Sequence, residues 1–444
     1  MAGLATQWFF LKHGLLKPGV KSYYRELLTN QDLDPEVLEQ LSWKRTTQLL
    51  RHAYEHVPYY REKFKSLSLC PEDISEPKYF HQVPVLTRKD LQDHWKELIS
   101  DEVTAWDLCA STTGGTTGHP VRVYHPRKSA MAAMGWRMLN WWGLSPDCNW
   151  ASVYRDLASD TKGRLLRRIY WWPTRKVLLN ATAFSDREID GFIREFLRVR
   201  PPLVHGYVGA LDRIAEHILD NGISLPPPRV VWTTSAPLTS IQERTIAKAF
   251  GSPVYDQYGC CEVYWLAAQC PAKRGLHMFW DARRIEFLDE DHAPQPVGSM
   301  GRIAVTDLLN KHFPLIRYLN GDRGRALPHS CDCGVTLPLM DKVQGRVSDT
   351  LRLPSGACVN GEYLTTLFDE SPEAVKQFQV YQQKDHSIVI KAVPRERVSE
   401  LPQLLHAVCD RLSRQVNYEV PVVGRVVDGI AQEGGKLKFV ISDL

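Results

Sequence analysis

From about Cys109 to Gly345 the chain alternates between short β-branched runs and helix-like stretches, and this alternation constrains its fold more than any other feature. The runs VRVYH, RVVWTTS, SPVYDQYG and GRIAVTDL have the length and side-chain content of strands. Ser185 to Val199 and Gly209 to Leu219 carry apolar residues at helical spacing. Strands alternating with helices predict a layered α/β domain. The first 100 residues read as mostly helical: Leu38, Leu41, Leu49, Leu50 and Tyr54 recur at helical spacing between Glu36 and Phe64. Pro58 is predicted to end or kink that helix, and Thr87 to cap another containing Leu91 and Trp95. Past Arg346, strand-like DTLRLP, HSIVIKAVP and LKFVI mix with one helix, Glu400 to Gln415. The expected organisation is a large α/β domain over 1–345 and a small α+β domain over 346–444.

Composition narrows the function. Of 444 residues, 43% are hydrophobic, enough for a large core without disulfide staples. Fifty-five basic residues against 51 acidic ones give a net charge of +4, too balanced to argue for nucleic acid or an anionic membrane as partner. No run of about 18 apolar residues occurs, so no bilayer-spanning helix is expected. The first residues lack the basic lead-in and cleavage-type ending of a signal peptide, so a cytoplasmic, reducing setting is expected. Ten cysteines there suggest a metal site or a reactive thiol before a disulfide.

Three segments have the chemistry of a phosphate and sugar site. Ser111 to Gly118 is eight consecutive Ser, Thr or Gly residues, whose amides and hydroxyls can donate to phosphate oxygens. It lacks the Gly-Lys-Ser/Thr of a Walker loop, and a plain surface loop fits the composition equally well. Tyr255-Asp-Gln-Tyr-Gly-Cys-Cys-Glu262 ends an apolar strand in an aromatic, a glycine and a carboxylate. Open α/β sheets put ligands at such strand ends, where Glu262 can hold Mg²⁺; the plainer reading is a turn with a solvated Glu. Tyr318-Leu-Asn-Gly-Asp-Arg-Gly324 and Gln344-Gly-Arg-Val-Ser-Asp349 each contain an Asp suited to a ribose diol or a domain junction, and each is also a common turn.

Two further sets stand apart. Cys270, His277, Cys331 and Cys333 offer three thiolates and one imidazole, the donor set of a tetrahedral structural Zn²⁺. Cys260 and Cys261 read as small packing residues, since spacing supplies no partner His for a catalytic thiol. Trp136, Trp141, Trp142, Trp150, Trp171 and Trp172 read as core packing more than as a pocket lining. His205-Gly206-Tyr207, after strand-like PPLV, is the better pocket candidate.

Taken in order, these segments resemble the acyl-adenylating superfamily, and specifically its phenylacetate–CoA ligase-like branch, from about residue 36 to the end of the chain. TGGTTGHP looks like the family's phosphate loop, QYGCCE like its Tyr-Gly-x-x-Glu motif, and Thr234-Ser-Ala-Pro-Leu238 like its adenine-side loop. Asp322 matches the ribose-binding Asp and Gly-Arg-x-x-Asp the hinge; LLRHAYEHVPYYREKF is typical of the branch. The resemblance implies ATP-dependent activation of a carboxylic acid, aryl or otherwise apolar, as an acyl-adenylate, followed by transfer to a thiol, with CoA first choice. It implies an ATP/AMP site of Thr113, Gly114, Gly115, Thr116, Thr117, Gly118, Ser235, Ala236, Pro237, Tyr258, Gly259, Asp322 and Arg346. It further implies Mg²⁺ on Glu262, a hinge at Asp349, an acyl pocket at Gly206 and Tyr207, and Zn²⁺ on the cysteine set. The reactive lysine is Lys436, directly after a glycine as in the family, with Lys438 the alternative. His119 stands where the family commonly has Lys. Relatives are compatible with a homodimer. The alternative acceptors are an amine or a carrier protein; a non-catalytic nucleotide- or zinc-binding protein is the remaining alternative.

Overall fold

A computed structural model describes residues 4–112, 121–154, 170–181, 185–328, 330–343, 351–355, 358–359, 364, 367–368, 371, 374–395, 401–431 and 438–444. The chain is mixed α/β, and its contacts divide it into two units. One comprises Met1–Asp147 with Gln257–Lys342, the other Cys148–Asp256 with Val343–Leu444.

The first unit opens with helices Leu4–Leu16, Val20–Asn30, Pro35–His56 and Pro58–Ser66. The predicted break falls at Val57, held extended (φ −120°, ψ 109°) because a following proline disfavours helical backbone before it. Pro58 then starts the next helix rather than kinking the first. Thr87 caps Arg88–Asp93 reciprocally with Asp90. Trp95 lies beyond that helix, stacked on Tyr124, so the expected helix is shorter than its sequence pattern. Strands Leu108–Thr112 and Arg122–Pro126 form an antiparallel hairpin. Arg283–Leu288, Gly301–Asp307 and Tyr318–Gly324 form an antiparallel sheet. Ala267–Gln269, Leu276–Met278 and Leu339–Met340 extend from the end of strand Val254–Tyr258 as a second antiparallel ladder.

Buried arginines organise this unit. Arg137 grips both oxygens of Asp281 at 3.1 and 2.9 Å, and Asn30 donates to the same carboxylate. Arg283 pairs with Asp307 at 2.6 Å, and Arg317 with Glu286 at 3.1 Å. Buried pairs of this kind add little net stability, but removing one partner leaves an uncompensated charge.

The second unit holds parallel strands in the order Lys176–Asn180, Trp150–Tyr154, Leu203–Tyr207, Val230–Thr234. Val230–Thr234 is buried at every residue, as a parallel strand covered on both faces must be. Helices Asp186–Val199, Val208–Asp220 and Ser240–Phe250 supply Ile189, Phe196, Ile214 and Ile246 to the core beside Val153, Val177 and Val231. The later part of the unit is a sheet of Val422–Val426, Ile388–Pro394, Val375–Gln382 and Val440–Ser442. Helix Leu401–Gln415 buries Leu405, Val408 and Leu412 in its core. The four strand-like runs of the α/β region, the two helical stretches and the late helix all occur as expected, within one or two residues.

Candidate active site

In the first unit two carboxylates are set by two tyrosines. Strand Val254–Tyr258 ends in Tyr258, whose hydroxyl donates to Asp322 Oδ2 at 2.7 Å. Asn320 donates both to the Tyr258 hydroxyl at 2.5 Å and to Asp322 at 3.2 Å, and the Asp322 N–H returns to Asn320 Oδ1 at 3.1 Å. Asp322 is therefore a half-buried carboxylate in a fixed orientation at the turn of a strand. Gly321 before it has φ +87°, the left-handed backbone that glycine takes without strain. Burial, reinforced by Asp322, pushes the Tyr258 hydroxyl far above its ordinary range, so it remains a donor.

Glu262 is 6% exposed. The Tyr318 hydroxyl donates to its Oε1 at 3.2 Å, and Arg88 Nη1 stands 3.7 Å from the same oxygen. Arg88 reaches this point because the chain at Leu86 pairs beside Tyr318, with Leu86 N–H to the Arg317 carbonyl at 3.1 Å. Gly259, between Tyr258 and Glu262, has no room for a side chain: a Cβ would lie 2.8 Å from the Trp265 backbone nitrogen. Cys260 bonds locally, accepting from the Val263 N–H at 3.3 Å. Burial raises its thiol far above the ordinary value, which fits a packing residue and not a nucleophile.

The hairpin that leads into the Ser/Thr/Gly loop lies against this turn. His125 Nε2 is 3.0 Å from the Cys261 carbonyl, and its ring stacks on Tyr264 at 4.4 Å. The Tyr264 hydroxyl reaches Ser111, the first residue of the run, at 3.5 Å. Thr113 to Gly118 themselves lie outside the described residues, as do His119, Arg346, Asp349 and Lys436. Lys438 is described, immediately before the last strand.

The first unit also gathers the predicted zinc set. The ligand atoms of Cys270, His277, Cys331 and Cys333 all lie within 4.8 Å of one another. Cys270 Sγ is 3.5 Å from Cys331 Sγ, and Cys333 Sγ is 3.3 Å from His277 Nε2. His277 Nδ1 donates to the Leu337 carbonyl at 2.9 Å, which turns Nε2 toward the sulfurs. Burial, then the Cys331 and Cys333 thiols, pushes Cys270 up to about 12; a cation among them would reverse this. Three thiols and one oriented imidazole fit a tetrahedral Zn²⁺.

The second unit, taken by itself, holds the remaining predicted residues. Ser235 follows strand Val230–Thr234 with φ +78°, a strained turn that Ala236 and Pro237 continue into the capped helix at Ser240. Gly206 is pinned between Val153, whose carbonyl oxygen a Cβ would meet at 2.8 Å, and Leu211. Tyr207 lies 4.5 Å, ring to ring, from Tyr154. The Tyr154 hydroxyl is 2.7 Å from His205 Nε2, and His205 stacks on Trp232 at 3.6 Å. Burial, with Lys176 nearby, holds His205 neutral. Trp136 and Trp142 are core residues as expected, but Trp150 and Trp171 join this aromatic group and Trp172 is exposed.

Tyr154, Trp232, Tyr318, Arg88 and His125 were not marked by sequence reasoning. Tyr318 carried a signal, since it opens the same segment as Asp322. Arg88 carried none, because its approach to Glu262 depends on a long-range pairing.

Residues 351–443 match the family model described as the CapK C-terminal domain. The chain is 25% identical over 347 residues to phenylacetate-coenzyme A ligase of Escherichia coli (strain K12), covering 73% of this chain and 76% of that enzyme. It is 21% identical to Protein CapK of Staphylococcus aureus, covering 96% and 93%. A crystal structure of 2-hydroxyisobutyryl-CoA ligase in the postadenylation state superposes with a TM-score of 0.77 at 18% identity, covering 93% of this chain and 91% of that one. In fold and motif order the chain is similar to proteins of the acyl-adenylating superfamily. Its curated relatives include phenylacetate-coenzyme A ligases at 21–25% identity.

Proposed function

We propose that the protein is an AMP-forming carboxylate–CoA ligase. The observation that carries the proposal is the pair of carboxylates Glu262 and Asp322, each fixed by a buried tyrosine beside the hairpin of the Ser/Thr/Gly loop. In the first half-reaction the acid's carboxylate attacks the α-phosphorus of ATP and pyrophosphate leaves. The barrier is dominated by crowding of negative charge, so positioning and cations do most of the work. Thr113 to Gly118 hold the β and γ phosphates, Asp322 the ribose diol, and Ser235 to Pro237 with Tyr258 and Gly259 the adenosine. Glu262 would hold the nucleotide's Mg²⁺, which when bound would neutralise charge at the phosphates. Lys436 reaches the α-phosphate, with Lys438 the alternative, and Arg346 touches the nucleotide at the junction of domains 1–345 and 346–444. The family match starting at residue 351 supports that division.

In the second half-reaction a thiol attacks the acyl carbon and AMP leaves, with Asp349 as hinge between the two steps. The acid is aryl or otherwise apolar: Tyr154, His205, Tyr207 and Trp232 form an aromatic group beside Gly206, with His205 uncharged. Zn²⁺ on Cys270, His277, Cys331 and Cys333 is structural. Thiol chemistry of this kind suits a reducing, cytoplasmic setting. The alternative acceptors are an amine or a carrier-protein thiol. The non-catalytic reading has no comparable support, and a homodimer belongs to this proposal only through the relatives.

The test is ATP–pyrophosphate exchange over a panel of aryl and alkyl acids. Lys436→Ala is expected to lower exchange by roughly 10²–10³-fold; undiminished exchange removes Lys436 from the scheme. Mass spectrometry with CoA, amines and carrier protein then identifies the acceptor.

A further inference from the structure

His52 and His56 stand four residues apart on helix Pro35–His56, so they share one face. Glu102, in the turn at 101–102, comes to the same place. His52 Nε2 lies 2.9 Å from the Lys311 carbonyl. A carbonyl only accepts, so Nε2 carries a proton, and in the neutral ring Nδ1 then has the lone pair. His56 Nδ1 lies 3.2 Å from the Asp101 carboxylate, and Nε2 is turned to the other side of the ring. These two nitrogens face the two oxygens of one carboxylate: His52 Nδ1 is 3.6 Å from Glu102 Oε2, and His56 Nε2 is 3.5 Å from Oε1. With both rings neutral, two imidazole nitrogens and two carboxylate oxygens face one point, where a cation would be coordinated. Glu55, 3.7 Å from His56 Nε2, adds a further oxygen, and Arg61 steadies Asp101 at 3.1 Å.

We propose that His52, His56 and Glu102 form a divalent transition-metal site, separate from the cysteine set, that takes Zn²⁺ or Ni²⁺ through two imidazole nitrogens and a carboxylate. Imidazole and carboxylate donors suit these ions. The Lys311 carbonyl and the Asp101 carboxylate hold the outer ring nitrogens, as the partners of metal-bound histidines do. A bound ion would tie the helix to the 101–102 turn, and it takes no part in adenylate formation.

The experiment uses the full chain loaded with a single equivalent of Zn²⁺, which the three thiols and His277 take first, freed of excess Zn²⁺ and then titrated with Ni²⁺ by calorimetry. One Ni²⁺ per chain is expected. His56→Ala and Glu102→Gln should weaken it by more than tenfold, and Asp101→Asn by roughly tenfold. Cu²⁺ placed in the same site should show nitrogen couplings by electron paramagnetic resonance that His56→Ala diminishes. Pyrophosphate exchange and the metal-free thermal midpoint should be unchanged, because these side chains lie at the surface. Absence of Ni²⁺ binding, Ni²⁺ binding of equal strength in His56→Ala, or a Cu²⁺ spectrum without nitrogen couplings would overturn the site.

Discussion

At the residue scale, the two tyrosines make the site specific. Tyr258 and Asn320 fix the orientation of the Asp322 carboxylate. Asp322→Asn keeps the shape and removes the charge; it should raise KM for ATP about tenfold or more with a smaller change in kcat, read from steady-state kinetics. Gly259→Ala drives a Cβ toward the Trp265 backbone and should cost exchange activity more than stability, because the turn that aims Glu262 must open. Gly206→Ala meets the Val153 backbone instead, inside the core of the second unit, and should cost about 1–3 kcal/mol in a denaturation experiment. The turns that hold the candidate carboxylates were legible in the sequence, because turns demand particular residue types. Their partners were not: Arg88 and Tyr154 are ordinary residues locally, brought to Glu262 and His205 by pairings between distant segments.

At the scale of elements, helices Val208–Asp220 and Ser240–Phe250 meet the late sheet through a polar seam. Gln242 donates to Asp212 at 3.4 Å, Arg395 to Thr245 at 2.6 Å, and Lys376 lies 3.4 Å from Glu216. Burial, then the neighbouring Glu216, pushes Asp212 up to about 7, with Gln242, Arg395 and Lys376 opposing. In the unfolded chain the same carboxyl ionises near pH ~3.9. The folded state therefore holds the proton more tightly, and this group's stabilisation, full at low pH, is lost as pH rises from ~4 toward 7. Asp212→Asn should flatten the pH dependence of unfolding across that window and raise stability at pH 8 by on the order of 1–3 kcal/mol. Strand and helix positions were legible here from periodicity, because burial of one face leaves a repeating pattern. The seam was not, since buried Asp and Glu look like surface residues in a sequence.

At the scale of the whole molecule, one donor set reports on integrity. Cys270, His277 and the turn of Cys331 and Cys333 come from three places in the first unit, so a Zn²⁺ there would close the loops between them. Chelation of the metal should lower the thermal midpoint, and Cys333→Ser should reproduce the loss without chelator; an unchanged midpoint in both would remove the zinc assignment. The α/β class was readable from alternation alone, while the roles of the motifs rest on resemblance. The aromatic group around His205 was only half readable: Tyr207 was marked, while Trp150 and Trp171 looked like core. The central claim is that a carboxylate oxygen attacks the α-phosphorus of ATP. Turnover of an acid labelled with ¹⁸O in its carboxylate tests it directly: the account predicts one labelled oxygen in the AMP released with the thioester. Label in inorganic phosphate, or unlabelled AMP alongside full turnover, would contradict it.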